Sequence, residues 1–250
     1  MTSQFYIRDY FLYFCPAGIA CKTTMEHILD NPAWNALISG NKDLANGNDV
    51  AKYFPKEISP FVGTREISQE NFNILYDISQ FDSYFGFVAP HDIVIPEQWQ
   101  IIQSMKVLQM VYDEVATPAV LQQEFTPLTD QHIPQMIALT QLTNPGPFSE
   151  RTIDFGHYVG IFDGDRLVTM AGQRMHPVPY AEISAVCTHP DYLGRGYASK
   201  LLLHHIHRIR AASEIPFLHV KAENETAIKV YEKIGFVTRK EMSFYIIKKS

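Results

Sequence analysis

Apolar residues recur at two periods along this chain, every second position in some stretches and every third or fourth in others, and the changes of period divide it into elements. In the first half, Thr23 and Thr24 offer caps to a helix through Met25, His27, Ile28 and Leu29, which Asn31 and Pro32 end or redirect. Ser68 opens a second helix carrying Phe72, Ile74, Leu75 and Ile78. Residues 85–89 and 100–112 read as strands. In the second of these, Ile102, Ser104, Lys106, Leu108 and Met110 fall on one side, with Ile101, Gln103, Met105, Val107 and Gln109 on the other. Residues 41–48 and 55–63, punctuated by Asn, Gly and Pro, read as loops.

The second half alternates more regularly. A polar connection at 117–123 marks a boundary, so the chain divides into residues 1–120 and 121–250. Beyond it come a strand at 125–128, a helix at 130–142 and the loop Asn144-Pro145-Gly146-Pro147. Strands at 157–162 and 166–175 are joined by Asp163-Gly164-Asp165, a sequence suited to a hairpin turn. A strand at 181–188 follows, then a turn at 189–193 and a helix at 196–211 with Leu201, Leu202, Leu203, Ile206 and Ile209 for its buried face. A strand at 217–220, a helix at 225–234 and strands from 236 to 247 complete the chain. The order predicts an α/β fold. Its sheet is mixed and mostly antiparallel, with flanking helices and one parallel crossover from the 181–188 strand to the 217–220 strand.

Composition adds limits. With 46% hydrophobic and 19% charged residues the chain fits a globular protein with a sizeable core. Arg8, Asp9 and Lys22 interrupt the apolar N-terminal stretch, so no uncharged membrane span is expected, nor is a signal peptide. Three cysteines, Cys15, Cys21 and Cys187, lack metal-ligand spacing and suit a reducing, cytoplasmic setting. Charge is uneven: residues 1–120 carry 7 Lys and Arg against 14 Asp and Glu, whereas from Gly194 onward 11 basic side chains face 5 acidic ones. That local excess favours an anionic ligand, and it equally suits a solvated face. A sequence pI of about 5.9 and the lack of a basic, aromatic-interleaved stripe speak against nucleic acid as a partner.

Two motifs carry chemistry. In His189 to Leu202 (HPDYLGRGYASKLL), Gly194 and Gly196 stand between a strand end and a helix start, where unpaired amides and the positive end of the helix dipole make an anion site suited to a pyrophosphate. The segment lacks the Lys-Ser/Thr ending of a nucleotide P-loop and the spacing of the dinucleotide fingerprint. Downstream, NETAIKVYEKIGF places Asn224 where it can cap a helix and Tyr231 two turns along it. Read separately, these are a tight turn, a cap and a half-buried aromatic.

Together and in this order they resemble the signature of the GNAT N-acetyltransferase superfamily, and more narrowly its FR47-like branch of two-part bacterial acetyltransferases. The resemblance covers about half the chain. It implies a GNAT fold for residues 121–250, preceded by a divergent α/β N-terminal half of which a degenerate GNAT-like domain is one form. It implies acetyl-CoA as co-substrate, with no metal. The family's Q/R-x-x-G-x-G/A pattern falls on Leu193 to Ala198, with Leu193 departing at the first position. The resemblance assigns the phosphate cradle to Gly194, Arg195, Gly196, Tyr197, Ala198 and Ser199, and pairing with the pantetheine arm to Val186, Cys187 and Thr188. It makes Asn224 a coenzyme contact and Tyr231 the proton donor to the leaving thiolate.

An amine must be neutral to attack a thioester, so its proton has to leave. Glu182 is the candidate base because strand alternation sets it on the face of Ser184, Val186 and Thr188, a parity that a bulge would change. An ion-paired strand residue is the competing reading for Glu182. Cys187 reads as a packed thiol, and His204, His205 and His207 as helix surface in preference to a metal site. The leading function is transfer of acetyl from acetyl-CoA to a primary amine. A longer-acyl or amino-acid N-acyltransferase of the glycine N-acyltransferase type, and a non-catalytic CoA-binding sensor, are the alternatives. The acceptor, and whether the chain is a monomer or a homodimer, stay open. Residues 1–120 are expected to help shape the acceptor pocket, and a 121–250 fragment to keep coenzyme binding.

Overall fold

Most of the predicted elements form, and what their periodicity left undetermined is who pairs with whom. The computed structural model describes residues 27–79, 83–114 and 125–250. The expected caps Thr23 and Thr24 and the boundary at 117–123 lie outside those residues. His27 Nδ1 accepts from the Leu29 amide at 3.1 Å and caps a single 3-10 turn, Ile28–Asp30. Helix α1 (Pro32–Ile38) then begins at Pro32. Here proline opens a helix where the sequence reading had it end one: its missing N–H belongs to a first turn that leaves that donor unbonded, and its fixed φ suits the position.

Short strands β1 (Asn46–Gly47), β2 (Ala51–Tyr53) and β3 (Val62–Thr64) form a small antiparallel sheet, with β1 and most of β3 in segments that read as loop and β2 between them. Helix α2 (Gln69–Ile78) follows, its N-terminus capped by Ser68 Oγ accepting from the Asn71 amide at 3.2 Å. Strands β4 (Phe85–Ala89) and β5 (Trp99–Tyr112) end this part of the chain. Residues 125–250 then supply β6 (Thr126–Pro127), α3 (Ile133–Thr143), β7 (Val159–Asp163), β8 (Arg166–Gln173) and β9 (Tyr180–Thr188). Helix α4 (Tyr197–Ala211), β10 (Ile215–Lys221), α5 (Glu225–Ile234) and the single long strand β11 (Phe236–Lys249) complete it.

One eight-stranded sheet runs through the molecule in the order β4-β11-β5-β10-β9-β8-β7-β6. Only β9 and β10 are parallel, as the crossover through α4 requires. Strand β5 lies between β10 and β11, pairing Val111 with Phe217 on one edge and Val111 with Val237 on the other. Residues on both sides of position 120 therefore build the same sheet. Leu202, Ile206 and Ile209 of α4 and Ile228 of α5 pack with Met110, Leu218 and Phe236 on one face. Leu37 of α1 and Met136 and Leu139 of α3 belong to the main core with Val88, Val107 and Phe244. Phe72 and Leu75 of α2 join Phe85, Phe87, Tyr245 and Ile247.

The strand order bears on the expectation for the isolated second half. Removing residues 1–120 takes β5 away and leaves facing edges of β10 and β11 without ladder partners, a large cost in unpaired backbone groups. A 121–250 fragment should show no cooperative transition in calorimetry, whereas the whole chain does. A sharp transition in the fragment would mean that β10 and β11 close on each other without β5.

Candidate functional site

Strands β9 and β10 pair over three positions only, Tyr180 with Ile215, Ala181 with Pro216 and Glu182 with Phe217. Past that point β9 stays tied to β8 and β10 to β5, so each is held by its outer edge while the facing edges part. A cavity of about 360 Å³ fills the opening. Ile183 to Thr188 line one side of it and Leu218 to Lys221 the other, with Asn224, Ala227 and Tyr231 of α5 at its border. Backbone N–H and C=O groups along such facing edges are free to bind an extended, amide-bearing ligand, as an added strand does.

In the loop between β9 and α4, Gly194 (φ +76) and Gly196 (φ +73) both take the left-handed conformation, and a Cβ at either would meet nothing within 4 Å. Glycine is thus needed there for backbone conformation, and the space in front of it stays open. Gly196 is the N-cap of α4 and supplies no side-chain cap, so the amides of Tyr197, Ala198 and Ser199 in the first turn have no capping partner. Leu193 is 66% exposed. Arg195 lies back on the loop, its guanidinium 4.5 Å from the centre of the Tyr192 ring and donating to the Asp191 carbonyl at 3.3 Å.

Helix α5 begins at Asn224, whose Oδ1 accepts from the Ala227 amide at 3.1 Å. Two turns on, Tyr231 packs edge-on to Phe236 at 6.1 Å, and burial pushes its phenol up to about 12. The phenol is therefore protonated at neutral pH.

Strand β9 does not keep its alternation. Ala185 has φ +53, and the register with β8 slips there: Cys187 pairs Met170 while Ser184 pairs Gly172. The extra residue is a β-bulge. Ile183 and Val186 consequently pack toward α4, whereas Ala185 and Cys187 join the core of α3. The parity argument that set Glu182 beside Val186 and Thr188 fails at this bulge. Cys187 is buried, and burial pushes its thiol up to about 12, in keeping with a packed side chain.

Glu182, expected to face the opening as a base, is wholly buried at its apex. Its carboxylate accepts from Arg174 Nε (2.9 Å) and Nη2 (2.6 Å), from the Met175 amide (3.1 Å) and from His219 Nδ1 (2.7 Å). Burial would raise its pKa, but the Arg174 charge and hydrogen bonds and the His219 hydrogen bond outweigh that and hold it down at about 2. The chain of contacts continues: Gln109 Nε2 donates to His219 Nε2 at 3.0 Å and to the Leu29 carbonyl at 2.9 Å. Gln109 Oε1 accepts from Arg239 Nε at 2.5 Å, and Arg239 pairs with Asp30 at 2.6 Å. The sequence reading missed Arg174, His219 and Gln109, because no local spacing joins the residue just past β8 with residues of β10 and β5.

It also placed the histidine run on a helix surface. His205 is instead fully buried, with both ring nitrogens unpartnered, and burial brings its pKa down to about 3. Among the described residues no cluster of His, Cys, Asp and Glu is arranged to hold a metal, and no helix is long and apolar enough to cross a membrane.

Comparison with known proteins bears on this arrangement. The FR47-like protein family matches residues 158–245. A mycothiol acetyltransferase from Corynebacterium glutamicum is 30% identical over 86 residues, 34% of this chain and 30% of that protein. The N-alpha-acetyltransferase RimI of Mycobacterium tuberculosis is 33% identical over 84 residues, 32% of this chain and 51% of that protein. The chain thus spans about a third to a half of these curated relatives. A solved structure, a putative GNAT acetyltransferase from Novosphingobium aromaticivorans, is 31% identical, with 90% of this chain and 100% of that chain covered at a TM-score of 0.83. On the strength of that match the chain belongs to the GNAT family of acetyltransferases.

Proposed function

We propose that the protein moves an acetyl group from acetyl-CoA to a primary amine by direct attack in a ternary complex. The observation that carries the reading is the opening between β9 and β10, with Tyr231 on its border and uncapped amides at the start of the helix that follows β9. The pyrophosphate sits on the amides of Gly194 to Ser199, and the pantetheine arm runs along the free edge at Val186, Cys187 and Thr188. Asn224 borders the arm, and the thioester lies beside Tyr231. The names of the two acetyltransferase relatives favour acetyl over longer acyl groups.

As the amine nitrogen bonds to the carbonyl carbon, the C–S bond breaks and sulfur takes the Tyr231 proton. A phenol near 12 is a weak acid toward a thiolate in water, with a reference thiol value of about 8.5. The same burial raises the basicity of a thiolate formed inside the opening, which narrows the gap. Glu182 acts as a positioning residue in this account. A carboxylate at about 2 with four donors on it has little capacity to hold a further proton, and its work is to fix Arg174 and His219 at the apex.

Three outcomes follow. In a thermal-shift titration acetyl-CoA stabilises the protein, and Gly196→Asp, which adds a negative charge to the cradle, removes that stabilisation while the variant stays folded. An unaltered coenzyme affinity in Gly196→Asp would misplace the cradle. Tyr231→Phe keeps coenzyme binding and loses roughly 10²- to 10⁴-fold in kcat, the usual range for a positioned acid; wild-type turnover leaves Tyr231 a packing residue.

The third concerns pH. Glu182 titrates at about 2 in the fold against an ordinary 4.5, so its ionised form contributes stability above about pH 4.5 that is lost as pH falls toward 2. At 1.36 kcal/mol per unit this is on the order of 3 kcal/mol. Urea unfolding from pH 7 downward should show that loss in the wild type. Glu182→Gln should be less stable at neutral pH by about 3–5 kcal/mol, the cost of leaving Arg174 buried without its partner, and should have a flatter acid limb. Its pH–rate profile should keep the wild-type shape, whereas loss of a rate-controlling ionisation near neutrality would restore Glu182 as the base.

A further inference from the structure

Away from the apex, the cavity extends over a floor that β4 and β5 of the N-terminal half build together with β11. Val88, Phe244 and Met105 stand side by side across β4, β11 and β5, since Phe244 pairs with Val88 on one edge and Met105 on the other. Val107, paired with Met242, extends the floor by one position. Phe61 stacks on Phe244 at 5.5 Å, and the Arg174 guanidinium lies 4.7 Å from the centre of the Phe61 ring. This end of the cavity therefore carries apolar and aromatic side chains beside His219, with the Arg174 guanidinium let into its wall.

That group has a free edge. Glu182 engages Nε and Nη2 of Arg174, and among the described residues Nη1 makes no hydrogen bond. Its charge is already matched by Glu182, so what it offers the cavity is a pair of N–H donors and no net positive charge. With the guanidinium already neutralised, a second carboxylate there would bring an uncompensated buried charge, which a neutral carbonyl oxygen does not.

The wall also lacks a base. Among the described residues no Asp or Glu lines the cavity. His219 lines it, but both of its ring nitrogens are occupied, Nδ1 on Glu182 and Nε2 on the Gln109 amide. Gln109 cannot turn to release it, because its Oε1 is held by Arg239. The acceptor must therefore arrive neutral or give its proton to solvent. At pH 7.4 an α-amine with a pKa of about 7.8 is about a third neutral, while an alkylamine near 10.4 is neutral in about one molecule per thousand. A second cationic centre would find no counter-charge on the floor.

We infer that the acceptor is an α-amino carbonyl compound with an apolar side chain, an amino acid amide or the first residue of a peptide. The side chain lies on the Val88–Phe244–Met105 floor, and the carbonyl oxygen accepts from Arg174 Nη1. The inference rests on the acetyltransfer reading. In the balanced step the α-nitrogen forms the C–N bond, the C–S bond breaks and sulfur leaves with the Tyr231 proton. The nitrogen's surplus proton passes to water and Tyr231 is reprotonated from solvent, so that amine and acetyl-CoA become amide and CoA thiol.

The test uses the full chain, acetyl-CoA and thiol release at pH 7.4. Leucinamide should exceed isoamylamine, which has the same apolar body without the carbonyl, by at least about 100-fold in kcat/KM, with spermidine at background. Raising the pH to 10 should increase the isoamylamine rate about tenfold per unit, while leucinamide levels off above about pH 8. A leucine-initiated tetrapeptide better than leucinamide assigns a polypeptide source, and the reverse a small molecule. Arg174→Lys, which can still pair with Glu182 but loses Nη1, should raise KM for leucinamide about tenfold or more and narrow its advantage over isoamylamine. If that variant does not fold, Met105→Glu gives the floor a carboxylate and should raise the spermidine rate while lowering that of leucinamide. Equal rates for leucinamide and isoamylamine, or a preference for spermidine, overturn the inference with acetyl transfer intact. Bound acetyl-CoA without turnover of leucinamide or the tetrapeptide overturns it too. No acetyl-CoA binding at all instead removes the reading beneath it.

Discussion

Two adjacent strands of one sheet stop pairing after Glu182 and Phe217, and most of the molecule is arranged around keeping them apart. Unpaired backbone groups are costly unless something replaces the ladder, so an opening of this kind is a place where a ligand's own amides belong. It persists because each strand is bonded along its far edge, β9 to β8 and β10 to β5, and because the bulge at Ala185 turns β9 away. At the apex, the Glu182 carboxylate binds Arg174 from the end of β8 and His219 from β10, clamping the opening where it starts. A buried ion pair of this sort is weak evidence for extra stability, but breaking it is expensive, which makes it suited to fixing a geometry.

The N-terminal half enters this arrangement as a structural part of the site. Strand β5 carries one edge of the opening through its bonds to β10, closes the sheet onto β11, and sends Gln109 to His219 and Met105 and Val107 to the cavity floor. The same strand therefore serves the fold, the apex and the floor. Its Gln109 is buried and makes bonds to Leu29, His219 and Arg239, tying together three distant stretches of chain.

The elements set by local chemistry were legible in the sequence. Gly194 and Gly196 announced left-handed turns at a helix start, Asn224 a cap, and the helix at 225–234 its full length, because these depend on neighbours in the chain. Strand order was not legible, since alternation in β5 shows a strand with two faces and says nothing of its partners. The bulge at Ala185 was hidden for a related reason: no Gly or Pro marks it, and it takes its shape from pairing with β8. That hidden residue undid the placement of Glu182. His205 is different, because Leu201, Leu202, Ile206 and Ile209 put it on the buried face of α4 by helical spacing alone, and the polarity of the run obscured a signal that was present.

The account's central claim is that the opening between β9 and β10 is where coenzyme and Tyr231 meet. A crystal structure of the full chain with coenzyme A tests it most directly. The account predicts pantetheine amides hydrogen-bonded to the β9 backbone at Val186 to Thr188, the pyrophosphate on the amides of Gly194 to Ser199, and the sulfur within hydrogen-bond reach of the Tyr231 hydroxyl. A coenzyme bound outside the opening, or a sulfur that Tyr231 cannot reach, would contradict it.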